Sequence, residues 1–188
     1  MSKKKHHLPA EEVEVLSFSD GYLFHDIYGT PHPAPRILVP VADTHGHLGS
    51  LHEHSAADSL ARAAAAGVRM LIVPVDIATE FPRKWVDTST FIAWFEDTLS
   101  QARAAYTKLA EADLCVPCDL PAEYLFEHTY FVVGAHPYSA PDYNQETEQR
   151  LFELLEHPLC VGVGEIGLDF GPYCEVPEEV QRQAFERQ

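Results

Sequence analysis

The chain has 188 residues, 46% of them hydrophobic, and a formal net charge of −16, so it can bury a core of its own and is expected to fold as one globular domain. No apolar run nears the roughly 20 residues of a membrane helix, and the basic start Met1-Ser2-Lys3-Lys4-Lys5-His6-His7 meets Glu11, Glu12 and Glu14 instead of an apolar signal core. A cytoplasmic protein with no membrane partner is expected. The charge disfavours tight, nonspecific binding to a polyanion, which draws on many Lys and Arg contacts, yet a bound divalent metal held by acidic residues would supply a local positive field.

Residues 1–36 show no sustained period and carry Pro9, Pro31, Pro33 and Pro35, which predicts an irregular leader before a fold that occupies 37–188. The apolar run 37–42 predicts a buried strand. The alanine-rich stretch 56–66, closed by Gly67, predicts a helix with its stop, and 69–75 predicts the next strand. Over 90–112, Phe91, Trp94, Phe95, Leu99, Ala102, Tyr106 and Leu109 recur three or four apart, the period of an amphipathic helix. A third strand over 129–133 leads into Gly134-Ala135-His136-Pro137, a helix follows over 146–155, and Cys160–Val163 makes the fourth strand. Proline followed by Glu178 and Glu179 opens a last helix over 177–187, with Val180 and Ala184 on one face. Strands alternating with helices predict a parallel α/β architecture of four βα units. The long stretch 76–127 between the second and third strands either shapes a substrate rim or pads the outside.

Two motifs follow β-branched apolar runs and so stand at strand ends, where barrel enzymes carry their chemistry. They are Asp43-Thr44-His45-Gly46-His47-Leu48 and Gly164-Glu165-Ile166-Gly167-Leu168-Asp169. Residues two apart on a strand share a face, so Asp43, His45 and His47 can point together and two imidazoles can grip one ion. Glu165, in parity with Val161 and Val163, is the carboxylate that would join them and could bridge to a second ion. In the alternative reading His45 and His47 cap a strand and bind only water or backbone. Asp169 either orients a ligand or serves a turn. His136, before Pro137, is read as substrate-facing, or else as a histidine satisfied within a tight turn. The remaining histidines, among them His52, His54, His128 and His157, have no partner spacing that sets them apart.

Cys115, Cys118, Cys160 and Cys174 are too few and too scattered for a disulfide framework, which fits a reducing compartment. Cys115-Val116-Pro117-Cys118 stands without a second pair, so it is either coincidence or a redox or metal element.

With these motifs in order, residues 41–188 resemble the TatD family of metal-dependent hydrolases, within the amidohydrolase-type barrels. Asp43-Thr44-His45-Gly46-His47-Leu48 is similar to the family's opening Asp-x-His-x-His, Gly134-Ala135-His136-Pro137 to its Gly-x-His-Pro, and Gly164-Glu165-Ile166-Gly167-Leu168-Asp169 to its most distinctive run. The resemblance implies a (β/α)8 TIM barrel with one or two divalent ions (Mg, Mn or Zn) ligated by His45, His47 and Glu165. Glu165 and His136 would be the catalytic side chains, with Asp43 and Asp169 in support. It further implies a deoxyribonuclease that cleaves DNA phosphodiester bonds with metal-activated water. The same chemistry serves an amidase or esterase, and a noncatalytic half-barrel partner module is the alternative from another class.

The family's further ligands, two later histidines and a late aspartate, come from the second half of its barrel. A barrel takes about 250 residues and eight strands. With four strands read in 37–188, the expectation is a truncated barrel: a fragment, a split or degraded gene, or a chain that a second chain completes. Weak metal binding and little turnover by these residues alone are expected with it.

Overall fold

The computed structural model describes residues 22–26, 28–33, 37, 39–48 and 55–188. Most of the leader, position 38 of the first expected strand, and His52 and His54 lie outside the described residues. Within the leader, β1 (Phe24–His25) and β2 (Pro31–His32) form an antiparallel pair. The Asp26 carboxylate closes their turn by accepting from the backbone N–H of Tyr28 and of Thr30, at 2.8 and 2.9 Å.

The main sheet contains β3 (Val41–Asp43), β4 (Val68–Asp76), β5 (Thr129–Gly134) and β6 (Cys160–Val163), in that spatial order. β3 runs parallel to β4 and β5 parallel to β6. The N–H of Leu71 bonds the carbonyl of His128 and that of Ile77 the carbonyl of Gly134; both chains advance together along this ladder, so β4 and β5 are parallel too. The parallel α/β expectation therefore holds. Parallel neighbours need crossovers, and helices supply them: α1 (Ala56–Ala65) lies between β3 and β4, α2 (Thr88–Glu111) and α3 (Glu123–Glu127) between β4 and β5, and α4 (Gln145–Leu155) between β5 and β6. α5 (Glu178–Arg187) follows β6.

The first strand differs from expectation. It is Val41–Asp43 rather than 37–42, all three of its residues are exposed, and Val39 is outside it at 68% exposure. Pro40 has no N–H to give a ladder, and among the described residues β3 stands at the sheet's edge with only β4 beside it. The stretch 76–127 holds the crossover helix α2 and the short α3, so it is a βα connection with a loop over 77–87.

The chain divides into two compact units, one of 1–43, 48–71 and 97–128, the other of 44–47, 72–96 and 129–188. In the first, Ala61 and Ala65 of α1 pack with Leu23 and Leu109. Ser55 caps α1 by accepting from the N–H of Asp58 at 3.0 Å, and Gly67, at φ +94°, ends it in the left-handed region that favours glycine. In the second unit Phe91 and Phe95 from the start of α2 pack edge-on against Phe131 of β5, with ring centroids 5.1 and 5.3 Å apart. α2 begins on a reciprocal cap: Asp87 Oδ1 accepts from the N–H of Thr90, and Thr90 Oγ1 accepts from the N–H of Asp87. Hydrogen bonds from Thr90 hold the Asp87 carboxyl down at about 2. Among the described residues no helix is long and apolar enough to cross a membrane.

Phe131 is fully buried at the centre of that aromatic cluster. Phe131→Ala is expected to cost about 3–5 kcal/mol, read as a lower urea midpoint; a loss under about 1 kcal/mol would show that the cluster relaxes around the gap.

Candidate metal centre

His45 and His47 lie just beyond β3, and Glu165 lies two residues beyond β6. All three belong to the second unit, and the structure brings them together. His45 Nε2 is 3.0 Å from His47 Nε2 and 3.1 Å from Glu165 Oε1, and His47 Nε2 is 3.8 Å from Glu165 Oε2. Among the described residues this is the group of His, Cys, Asp and Glu side chains able to hold a metal ion, with donor atoms within 4.8 Å of one another. Atoms that each sit about 2 Å from a common ion stand about 3–3.5 Å apart, so the donor set fits a divalent cation. The imidazoles are 54% and 45% exposed and Glu165 32%; a site so open on one side keeps a position for water or substrate. Asp43 ends β3, exposed and paired in register with Leu71, and is not one of the three donors.

The local sequence explains the convergence. The N–H of Gly46 bonds the carbonyl of Ile72, which carries the ladder past the end of β3 and places the histidines that flank Gly46. After β6 the chain passes close to β5: a Cβ on Gly134 would lie 2.7 Å from Ile166 Cγ2 and 2.9 Å from the Glu165 carbonyl oxygen. Only glycine lets that approach occur. Gly167 adopts φ +147°, again a glycine conformation.

His136 follows β5 and caps a 3-10 helix over Pro137–Asp142, its Nδ1 accepting from the N–H of Tyr138 at 3.2 Å. A neutral imidazole that accepts at Nδ1 carries its proton on Nε2. The turn reading of His136 is thereby met at Nδ1. Tyr138 packs against the His136 ring, centroids 4.7 Å apart, and its hydroxyl donates to Asp169 Oδ2 at 2.8 Å. The other Asp169 oxygen accepts from the N–H of Gly171 at 2.7 Å. That backbone bond, then the tyrosine, hold the Asp169 carboxyl below the usual carboxylate range, and the same contact raises the Tyr138 phenol. Asp169 is thus an ionised acceptor at neutral pH. Its stabilising bonds persist above the ordinary carboxylate range and are lost only as pH falls through its lowered value.

Three contributors escaped the sequence. Tyr138 links His136 to Asp169, residues on different loops. Gln181 of α5, 1% exposed, accepts from the N–H of Asp169 at 2.7 Å and donates to the carbonyls of Asp169 and Val176 at 2.9 and 2.8 Å. Gln188, which caps α5, accepts from the N–H of Ala135 at 2.6 Å, so α5 and its cap tie down both loops. The buried face of α5 accordingly runs through Gln181 and Ala184, with Val180 only half-buried. A polar residue at a core position is the available signal for Gln181. The Cys115 and Cys118 pair is half-buried in the other unit, and burial pushes the Cys115 thiol up, away from the reactive thiolate.

The sequence profile described as TatD related DNase matches residues 42–188. The chain belongs to this family. Over shorter stretches it is similar to the 3'-5' RNA nuclease TATDN2 of Homo sapiens, 42% identical over 55 residues, which is 29% of this chain and 7% of that protein. It is also similar to the 3'-5' ssDNA/RNA exonuclease TatD of Escherichia fergusonii, 36% identical over 57 residues, or 30% of this chain and 22% of the relative. The enzyme of the same name from Escherichia coli K12 is 35% identical over 57 residues, again 30% and 22%. The chain thus spans less than a quarter of each of these TatD relatives and of TATDN2.

Gln181→Leu keeps the volume and removes the amide. It is expected to cost about 1–3 kcal/mol, because the Asp169 backbone groups lose their partner, read by chemical denaturation; unchanged stability would mean that water takes the amide's place.

Proposed function

We propose that this TatD family protein is a metal-dependent nuclease acting on single-stranded nucleic acid, with His45, His47 and Glu165 as the ligands of one or two divalent ions. The observation that carries the reading is the meeting of two imidazole nitrogens with one carboxylate, 3.0 to 3.8 Å apart, at the strand ends of a parallel sheet. A divalent ion held there supplies Lewis-acid neutralisation of phosphoryl charge and activation of water. Magnesium, manganese and zinc all accept such donors. The ion also answers the charge problem, since a chain of net charge −16 has few cations to offer a phosphodiester.

Residues of the loop after β5 would share the remaining work. His136, whose Nδ1 accepts from the Tyr138 N–H, would serve through Nε2 as a donor to a phosphoryl or leaving oxygen. Tyr138 holds that imidazole through its backbone N–H and holds Asp169 through its hydroxyl. The relatives, a 3'-5' RNA nuclease and 3'-5' ssDNA/RNA exonucleases, support a single-stranded substrate of either sugar and cleavage from the 3' end.

The architecture that goes with this function is a (β/α)8 barrel of which 37–188 supply about the first four βα units, after a leader over 1–36. The edge strand β6 supports it: among the described residues it is paired with β5 alone, and Val161 and Val163, 49% and 37% exposed, give it an uncovered apolar face of the kind a closed barrel fills. Further strands would come from more of the same polypeptide or from a second chain. Turnover by these 188 residues alone is then slow, and ratios between variants are more telling than rates.

Manganese titration by calorimetry is expected to show binding that His45→Ala combined with His47→Ala weakens by more than about a hundredfold, beyond the loss of a mere supporting partner. EDTA-reversible hydrolysis of a labelled single-stranded oligonucleotide should fall with the same variant. Binding and hydrolysis that ignore the two histidines would overturn the proposal.

A further inference from the structure

A second site lies on the same unit as the metal centre. A cleft of about 440 Å³ separates the segment after β4 from the end of the loop that begins with His136; Pro82, Arg83, Val86, Asp142, Asn144 and Arg150 are among its walls. That volume suits a nucleotide-sized ligand. Both segments leave the C-terminal ends of parallel strands, as do His45, His47 and Glu165.

The charges in the cleft are unusual for this chain. Of the second unit's cations, Lys84 is paired with Glu80, Arg150 with Glu146, Arg182 with Glu178 and Arg187 with Glu148. Arg83 is exposed, and among the described residues no carboxylate pairs with it. In a chain of net charge −16 an arginine left unpaired at a cleft is available to an anion from outside. Arg150 forms the floor, its guanidinium 5.5 Å from the Phe81 ring centroid and its charge answered by Glu146. Val86, 72% exposed, and Pro82 give an apolar wall. The Asp142 carboxylate also faces the cleft and accepts no hydrogen bond among the described residues, while its backbone carbonyl accepts from Asn144 Nδ2 at 3.1 Å. A cation for a phosphate, an apolar wall for a base face and an acceptor for an exocyclic amine are the three surfaces of one nucleotide.

We propose that this cleft is a second nucleotide subsite, in which Arg83 holds the phosphate beyond the scissile one on a single-stranded substrate. The subsite rests on the nuclease reading above. It accounts for how a strongly acidic protein holds more of a strand than the nucleotide at the metal, and it makes Arg83 a residue that sets substrate length rather than rate.

The test is fluorescence anisotropy of the 188-residue protein with a labelled single-stranded oligodeoxynucleotide and a labelled dinucleotide, in calcium to suppress turnover. Arg83→Ala is expected to weaken oligonucleotide binding roughly fivefold, the worth of one exposed charge pair, and to leave dinucleotide binding unchanged. The slope of log affinity against log salt should become shallower by about 0.7, the share of one single-strand phosphate contact. Arg83→Lys should restore the slope, since a point charge suffices. Both probes bound by the unaltered protein, with Arg83→Ala changing neither affinity nor slope, would overturn the subsite and leave the nuclease reading standing. Equal weakening of both probes would also overturn it. Neither probe bound by the unaltered protein would bring down the nuclease reading and the subsite with it.

Discussion

Parallel pairing is the constraint on which the site depends. Neighbouring parallel strands must all leave the sheet at the same edge, and each return trip needs a helix. With β3 to β6 paired in chain order, the segments that begin at Thr44, Ile77, Ala135 and Gly164 all emerge together. His45, His47 and Glu165 are far apart in sequence and meet because that edge is shared. The aromatic packing of α2 on β5 and the amide bonds of α5 then hold the emerging loops in place.

The helices of this chain serve the loops as much as the core. α4 starts on a capping box, in which Asn144 and Thr147 satisfy each other's backbone N–H groups. That box also ends the loop carrying His136, so the loop is closed at both ends, by the imidazole cap at its start and by the helix cap at its finish. α5 and its C-cap contribute the side chains of Gln181 and Gln188 to backbone groups of Asp169 and Ala135. A hydrogen bond made by a buried amide such as that of Gln181 is specific in direction as well as worth, because a misplaced loop would leave a polar group unsatisfied. The site is thereby positioned by side chains that never touch it.

Much of this was legible in the sequence because the relevant signals are local. Periodicity marks α2, the β-branched apolar run marks the strand at Cys160–Val163, and residue type at strand ends marks His45, His47 and Glu165 as a group. The (β/α)8 closure rests on resemblance, the metal roles of those residues on residue type and resemblance together, and both stand as proposals. What escaped was long-range or subtle. The contact of Tyr138 with Asp169 spans 31 positions and that of Gln188 with Ala135 spans 53; no spacing rule reaches so far. The apolar run 37–42 is longer than β3 because hydrophobicity marks the run, while Pro40 and the edge position decide where the ladder starts. On α5 the sequence pattern marks Val180 and Ala184, whereas Gln181 is the buried partner of Ala184, because a glutamine reads as polar until its partners are known.

A crystal structure of the protein grown with manganese, with the ion located from its anomalous scattering, tests the central claim most directly. The account predicts an anomalous peak about 2.0–2.2 Å from His45 Nε2, His47 Nε2 and a Glu165 oxygen, with the three side chains little moved. Manganese found at other side chains, or no peak at this cluster in a crystal saturated with the ion, would contradict it.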